Sequence, residues 1–355
     1  MKENVSIKEK FAQMILLGLD VPSIDTNIIN LIQSHKIGGV VLYRKNYKTY
    51  EEMLNFINKL KEINRNNTPL FIGIDQENGR VNRLPADILA MPSAKRQTKD
   101  YEVLCECNEI TAKLLSNVGV NMNFAPVLDI DHENNNLIGN RSYGVTKEEV
   151  INYAIPLIND LNKEGIISVP KHFPGHGLPK GDSHIILPII KDIKTLEEVD
   201  LYPFNELIKM NTDAIMVSHL RIKGFGLKPA TMNKKIINKY LSNYNGLLVT
   251  DDIKMNIMKY LFGIPKIIKN SIEANHNLIM IKYQTEDMNL YNQLFSALET
   301  DYFDKEKINI SYNKIIKLKE KYHLNNDILT NKINIEEINN KISSLNKSLE
   351  QYEKK

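Results

Sequence analysis

The stretch Ile166–His184 reads IISVPKHFPGHGLPKGDSH. It opens on an apolar run, Ile166–Val169, suited to a short strand buried on both faces. Lys171–His184 then holds three histidines, two lysines, one aspartate, three glycines and two prolines. So much Gly and Pro makes a poor helix interior and a poor central strand, so this second part is a loop. A loop carrying that much proton-handling chemistry points to function rather than scaffold.

The same handover from apolar run to polar loop recurs along the chain. The other strand candidates are Met14–Leu17, Gly39–Tyr43, Leu70–Ile74, Val120–Phe124, Ala214–Val217, Leu247–Thr250 and Leu278–Ile281. The intervals leave room for crossover helices. Helical spacing predicts these over Thr49–Ile63, Glu102–Asn117, Lys147–Lys163 and Leu196–Lys209. Eight β-then-α units predict a (β/α)8 TIM-like barrel. The competing open, doubly wound sheet would need a G-x-G-x-x-G turn after a strand, and none is present; nor is there a P-loop. Five strand candidates lead into chemical groups: Asp75, Asp129, Lys171 with His172, Ser218 with His219, and Asp251 with Asp252. In a barrel such ends converge on one mouth.

Bulk composition narrows the partners. The 355 residues are 42% apolar, with 46 basic against 43 acidic residues and a net charge of +3. This near balance, with no arginine-rich face, gives no case for nucleic acid. No run approaches eighteen apolar residues, and the N-terminus lacks an export signal's apolar core, so no membrane segment and a cytoplasmic location are expected. Cys105 and Cys107, two apart on a helix, do not face each other and read as ordinary thiols. After Leu324 the chain turns polar and loses Gly and Pro. Residues 1–324 are expected to form the barrel, and 325–355 a polar linker and a C-terminal amphipathic helix on Ile333, Ile338, Ile342, Leu345 and Leu349. That helix is expected to lie on its own domain rather than pair with another subunit, so the chain is read as a monomer rather than a dimer.

The strand-end residues suit acid, base and nucleophile roles. Adjacent residues on a strand point oppositely, so one of Asp251 and Asp252 projects into the mouth and the other caps or orients. The first could be a nucleophile, a base or a metal ligand. His184 has Asp182 two residues before it, a carboxylate able to hold its tautomer for general acid/base work. Lys171 and His172 suit hydrogen bonds to a polar substrate. His176, between two glycines, reads as a link from loop to barrel. The loop GIDQENGRVNRLP carries Asp75, Glu77, Arg80 and Arg83, a carboxylate and arginine clamp for hydroxyls. Arg141 can reach the same pocket. The bland alternative for each arginine is a salt bridge to a loop carboxylate, and at least one of Arg80 and Arg83 is expected to do only that. A metal centre on His172, His176, His184, His219 and Asp251 is the rival. It is disfavoured by the absence of His-x-His and H-E-x-x-H, and by Lys171 and Arg141 in the same mouth.

Taken in order, IGGVVLYRKN, GIDQENGRVNRLP, NMNFAPVLDI, IGNRSYG, KHFPGHG with DSH, AIMVSHL and GLLVTDDIKM resemble family 3 glycoside hydrolases. Within that family the chain is similar to β-N-acetylglucosaminidases of the bacterial cell-wall recycling type, over roughly Lys10 to Leu324. KHFPGHG followed by DSH discriminates, because the β-glucosidase branch lacks this histidine and aspartate arrangement. The resemblance implies Asp251 as nucleophile, His184 as acid/base and Asp182 as its partner. It implies Asp75 gripping the outer hydroxyls of an N-acetylglucosamine ring, Arg83, Arg141, Lys171 and His172 lining the sugar site, and His219 in support. It further implies retaining hydrolysis of N-acetylglucosaminyl glycosides such as muropeptides, with no cofactor and no metal. The alternative is a phosphorylase using phosphate in place of water. Two departures stand out. Asn78 replaces a usual glycine, and Ala274-Asn275-His276-Asn277 replaces a usual Ala-Gly-x-Asp. The middle of the long loop, Phe173–Gly181, is expected to be a movable support that brings His184 to the substrate.

Overall fold

The computed structural model describes residues 5–132, 135–179, 187–285 and 288–352. Its strands are β1 (Ile15–Leu19), β2 (Gly39–Leu42), β3 (Phe71–Ile74), β4 (Met122–Asn123), β5 (Ile167–Ser168), β6 (Ile189–Ile190), β7 (Ala214–Val217), β8 (Arg221–Ile222), β9 (Leu247–Thr250) and β10 (Ile279–Lys282). Each of the eight expected strands is matched by one of these. The pair β6 and β8 was not expected; at two residues apiece these strands are too short to leave a pattern.

Six strands pair in parallel in the order β10-β1-β2-β3-β4-β5, with Leu17 opposite both Ile281 and Val40. A second parallel pair joins β7 to β9, Ile215 opposite Leu248. Single backbone bridges link the two groups. Phe173 pairs with Val217, donating its N–H to Met216 O and accepting from Ser218 N–H, both at 2.9 Å, and Val249 pairs with Leu278. The strands are short and mostly apolar, as suits strands covered on both faces. All of β1 through β3 is buried.

Between them lie the expected helices. Tyr50–Ile63 is capped by the Thr49 hydroxyl, Tyr101–Val118 by the Asp100 carboxylate, and Lys147–Lys163 by a reciprocal Thr146 and Glu149 box. The helix expected over Leu196–Lys209 is instead two pieces, a wide turn Leu196–Asp200 and a helix Tyr202–Lys209. Pro203 explains the break: it lacks an N–H to continue a helix but fits the first turn of a new one.

The C-terminal helix is Ile335–Glu350, and residues 324–334 run to it without regular structure. Its buried stripe of Ile342, Leu345 and Leu349 belongs to the chain's main core. Among the described residues no helix is long and apolar enough to cross a membrane. Both cysteines are free thiols, Cys107 buried and Cys105 partly so.

Candidate active site

Because all eight strands run the same way, the residues that follow them gather at one end of the sheet. Asp75 follows β3, Lys171 and His172 follow β5, and Asp251 and Asp252 follow β9. These five line a single cavity of about 290 Å³ together with Glu77, Arg83 and Arg141.

Its floor is a buried ion-pair network. Lys171 Nζ lies 2.7 Å from Asp75 Oδ1 and 2.6 Å from Glu77 Oε1. Glu77 also takes Arg141 in two-pronged fashion, Nε to Oε2 at 2.7 Å and Nη2 to Oε1 at 2.8 Å. Burial would raise the Glu77 carboxyl, but Lys171 and Arg141 outweigh it and hold the group well below its ordinary range. Burial would likewise depress Lys171, yet Asp75 and Glu77 keep it raised. Both ends of the network therefore stay charged.

A second arm starts at Asp129, fully buried beneath the loop. Its Oδ2 lies 2.6 Å from His172 Nδ1, and its Oδ1 accepts from the His176 N–H at 2.6 Å. A carboxylate here only accepts, so the His172 proton sits on Nδ1. Nε2 is then left toward the cavity, 3.4 Å from Arg141 Nη2. Asp129 is held low against its burial by His172 and His176.

At the far wall, the Asp251 backbone N–H donates to Val217 O, and Asp251 Oδ1 accepts from the Asp252 N–H at 2.8 Å. Burial would raise the Asp251 carboxyl. His219, His172, the Asp252 N–H and Lys171 together reverse this and hold it below its ordinary value. Its neighbour is the opposite case: burial and Asp251 raise Asp252 despite N–H donors from Lys254 and Lys282. Those two bonds, at 3.0 and 3.1 Å, tie Asp252 to the neighbouring backbone, yet both aspartates line the cavity, where only one was expected to project. His219 is not in the cavity lining; it is buried, with Nδ1 2.7 Å from Thr231 Oγ1 and Nε2 3.0 Å from Asp252 O.

Arg83 has its guanidinium 5.8 Å from the centre of the Tyr43 ring. The expectation that Arg80 or Arg83 would meet a loop carboxylate is not met among the described residues. Arg80 instead donates to the carbonyls of Asn136, Leu137 and Ile138.

Asp182 and His184 lie outside the described residues. The movable support expected over Phe173–Gly181 is corrected at its start. Phe173 is buried, bridged to Val217 and set edge-on against Phe204. His176 is tied to Asp129, and the Asn135 amide donates to both His176 O and Gly177 O. Gly177 passes so near the Ile130 carbonyl that a Cβ would meet it at 2.1 Å. Glycine here serves close packing, which the sequence alone cannot distinguish from a hinge.

Tyr43 and Lys282 also line the cavity and were not foreseen. The signal existed: Tyr43 follows β2 as Asp75 follows β3, and Lys282 ends β10.

A parallel β/α fold thus brings carboxylates, lysine, arginine and histidine around one sugar-sized cavity, a lining suited to a hydroxyl-rich ligand. The family model described as "Glycosyl hydrolase family 3 N terminal domain" matches residues 6–318, and the chain belongs to this family. A β-hexosaminidase of Neisseria gonorrhoeae is 32% identical over 260 residues, covering 69% of this chain and 71% of that one. A family 3 β-N-acetylglucosaminidase from Paenibacillus sp. strain FPU-7 superposes with a TM-score of 0.87 at 28% identity, over 96% of this chain and 69% of that one. A Neisseria gonorrhoeae structure in complex with N-trifluoroacetyl-D-glucosamine shares the fold, with a TM-score of 0.75 at 22% identity over 94% and 97% of the two chains.

Proposed function

We propose that this chain is a retaining β-N-acetylglucosaminidase that releases terminal N-acetylglucosamine from muropeptides or related oligosaccharides. The eight parallel strands are read as a closed (β/α)8 barrel over residues 1–324, with residues 325–355 as a helical extension. The observation that carries the proposal is the meeting of Asp75, Lys171, His172 and Asp251 around one cavity.

In this reading Asp251, ionised by its surroundings, attacks the anomeric carbon. His184, oriented by Asp182, gives its proton to the glycosidic oxygen as the C–O bond breaks, and the aglycone leaves. The sugar is now an ester of Asp251. Neutral His184 takes a proton from water, whose oxygen attacks the same carbon, and Asp251 departs as the carboxylate. Two displacements restore the starting configuration. Asp75 grips the outer ring hydroxyls, and its pairing with Lys171 fixes the direction of its free lone pairs. His172 Nε2 and the Arg141 and Arg83 guanidiniums complete the ring site. His219 acts indirectly, by lowering the Asp251 carboxyl and by its bond to the Asp252 carbonyl.

The test is product analysis with a muropeptide and with chitobiose, each with and without inorganic phosphate. Free N-acetylglucosamine from the muropeptide, unchanged by phosphate, is the expected result. A sugar 1-phosphate would establish the phosphorylase alternative. Release from neither substrate would overturn the proposal.

A further inference from the structure

We propose that the chain carries a second ligand site, a cavity of about 370 Å³ at the N-terminal ends of β9 and β10, which takes a small organic anion: a phosphate or carboxylate head on a sugar-sized body.

This cavity is remote from the catalytic one. Gly246, in its lining, precedes β9, whereas Asp251 follows it. A strand of this length spans roughly 13 Å.

The cavity's charge is one-sided. Lys307 and Lys314 stand seven residues apart on the helix Lys305–Lys321, hence on the same face two turns apart. No carboxylate is among the described residues that line the cavity. Lys307 Nζ is held by the Glu273 carbonyl and, at 2.6 Å, by Asn275 Oδ1. Lys314 Nζ has, among the described residues, a single long contact of 3.4 Å to Gly246 O. Neither forms an ion pair among the described residues. Each ammonium has three donors, so both keep hydrogens for a further acceptor. The Tyr244 hydroxyl in the same wall is buried with no hydrogen-bond partner among the described residues.

Partly burying cations that form no ion pair is unfavourable. Burial pulls Lys314 below its ordinary value, and burial with Lys234 does so at Lys307 against the opposing Asp304 and Glu273. A bound anion would reverse that cost. A lone inorganic ion would leave most of the volume empty, and the apolar Ile237, Leu241 and Ile310 in the wall suit an organic body.

The turn before β10 brings two neutral amides to this wall, Asn275, whose Oδ1 holds Lys307, and Asn277. Asn277 Oδ1 accepts the Leu248 N–H at 2.9 Å and its amide donates to Ser311 Oγ at 3.0 Å. An aspartate could keep both contacts, with the serine hydroxyl donating instead. The asparagine therefore alters the cavity's charge without being needed for its shape.

The experiment is calorimetric titration of the full chain with glucose 6-phosphate, with glucuronate and with glucose as the neutral control. It is repeated with Lys314→Met, Lys307→Met and Asn277→Asp. Saturable binding of at least one anion and not of glucose is expected, weakened tenfold or more in each variant. Hydrolysis of an aryl N-acetylglucosaminide and the ligand-free Tm should stay near wild type in Asn277→Asp, which separates lost binding from lost folding. No saturable binding of either anion to the wild-type chain, or binding unchanged in all three variants, overturns the proposal. So does equal binding of glucose.

Discussion

Glu77 grips Arg141 with both carboxylate oxygens, at 2.7 and 2.8 Å, and shares Oε1 with Lys171 at 2.6 Å. One buried carboxylate thus balances two cations in the floor of the catalytic cavity. Replacing it strands both against Asp75 alone. Removing one partner of a buried pair costs about 3–5 kcal/mol. Glu77→Gln, which keeps the shape, should therefore lower unfolding free energy by about 3 kcal/mol, read by urea denaturation. Glu77 is held below its ordinary value of 4.5, so its stabilisation is present above that value and is lost as pH falls through the folded-state value. Acidification should cost the wild-type chain more stability than Glu77→Gln. Equal slopes of stability against pH for the two proteins would contradict the pairing.

Asp251 depends on its neighbours for its charge. Because it titrates below the ordinary carboxylate range, the acidic limb of kcat/KM should lie below that range as well. His219→Gln removes the largest of the lowering influences, so the limb should move to higher pH while the alkaline limb stays. A limb that does not move would mean that His219 has no hold on Asp251. Asp251→Ala should abolish hydrolysis of an aryl N-acetylglucosaminide, with no covalent adduct by mass spectrometry; full activity would refute the nucleophile.

The proton donor is tested by leaving groups. His184→Ala should cost roughly 10²–10⁴-fold on substrates with a poor leaving group and much less on good ones, which need no protonation. Equal losses across a series of aryl glycosides, measured as kcat/KM, would contradict the assignment.

Period and strand ends were legible in the sequence because they are local. Short apolar runs mark strands covered on both faces, and the first polar residue after each marks the mouth. That rule found Asp75, Lys171, His172 and Asp251. It would have found Tyr43 too, had an aromatic residue after β2 been weighed like a charged one. Partnerships were not legible, because they join residues far apart in the chain. Glu77 and Arg141 are 64 positions apart, and Asp129 and His172 43. The same limit made Phe173–Gly181 look movable. Gly175 and Gly177 lie close against Asp200 and Ile130, which come from other segments.

The C-terminal helix holds the segment after Arg83 through two asparagines. Asn339 Oδ1 accepts the Leu89 N–H and its amide donates to Asp87 O, both at 2.8 Å, as a neighbouring strand would. Asn346 adds a bond to Ala90 O and takes one from Arg96. The segment so held follows Arg83, and its Met91 carbonyl accepts the Gly79 N–H. The helix therefore steadies the backbone that carries Asp75 to Arg83. Asn339→Ala removes two hydrogen bonds of about 1 kcal/mol each, so a stability loss of about 1–2 kcal/mol is expected. KM should rise with it, because Arg83 lines the cavity. Lys341→Ala is the control: its only ion pair among the described residues is an exposed one with Glu337, so a change within about 0.5 kcal/mol and an unchanged KM are expected. Steady-state kinetics and thermal unfolding of the two variants decide the matter. If Asn339→Ala matches the control in both, the helix is a passive cover and the loop holds its shape alone.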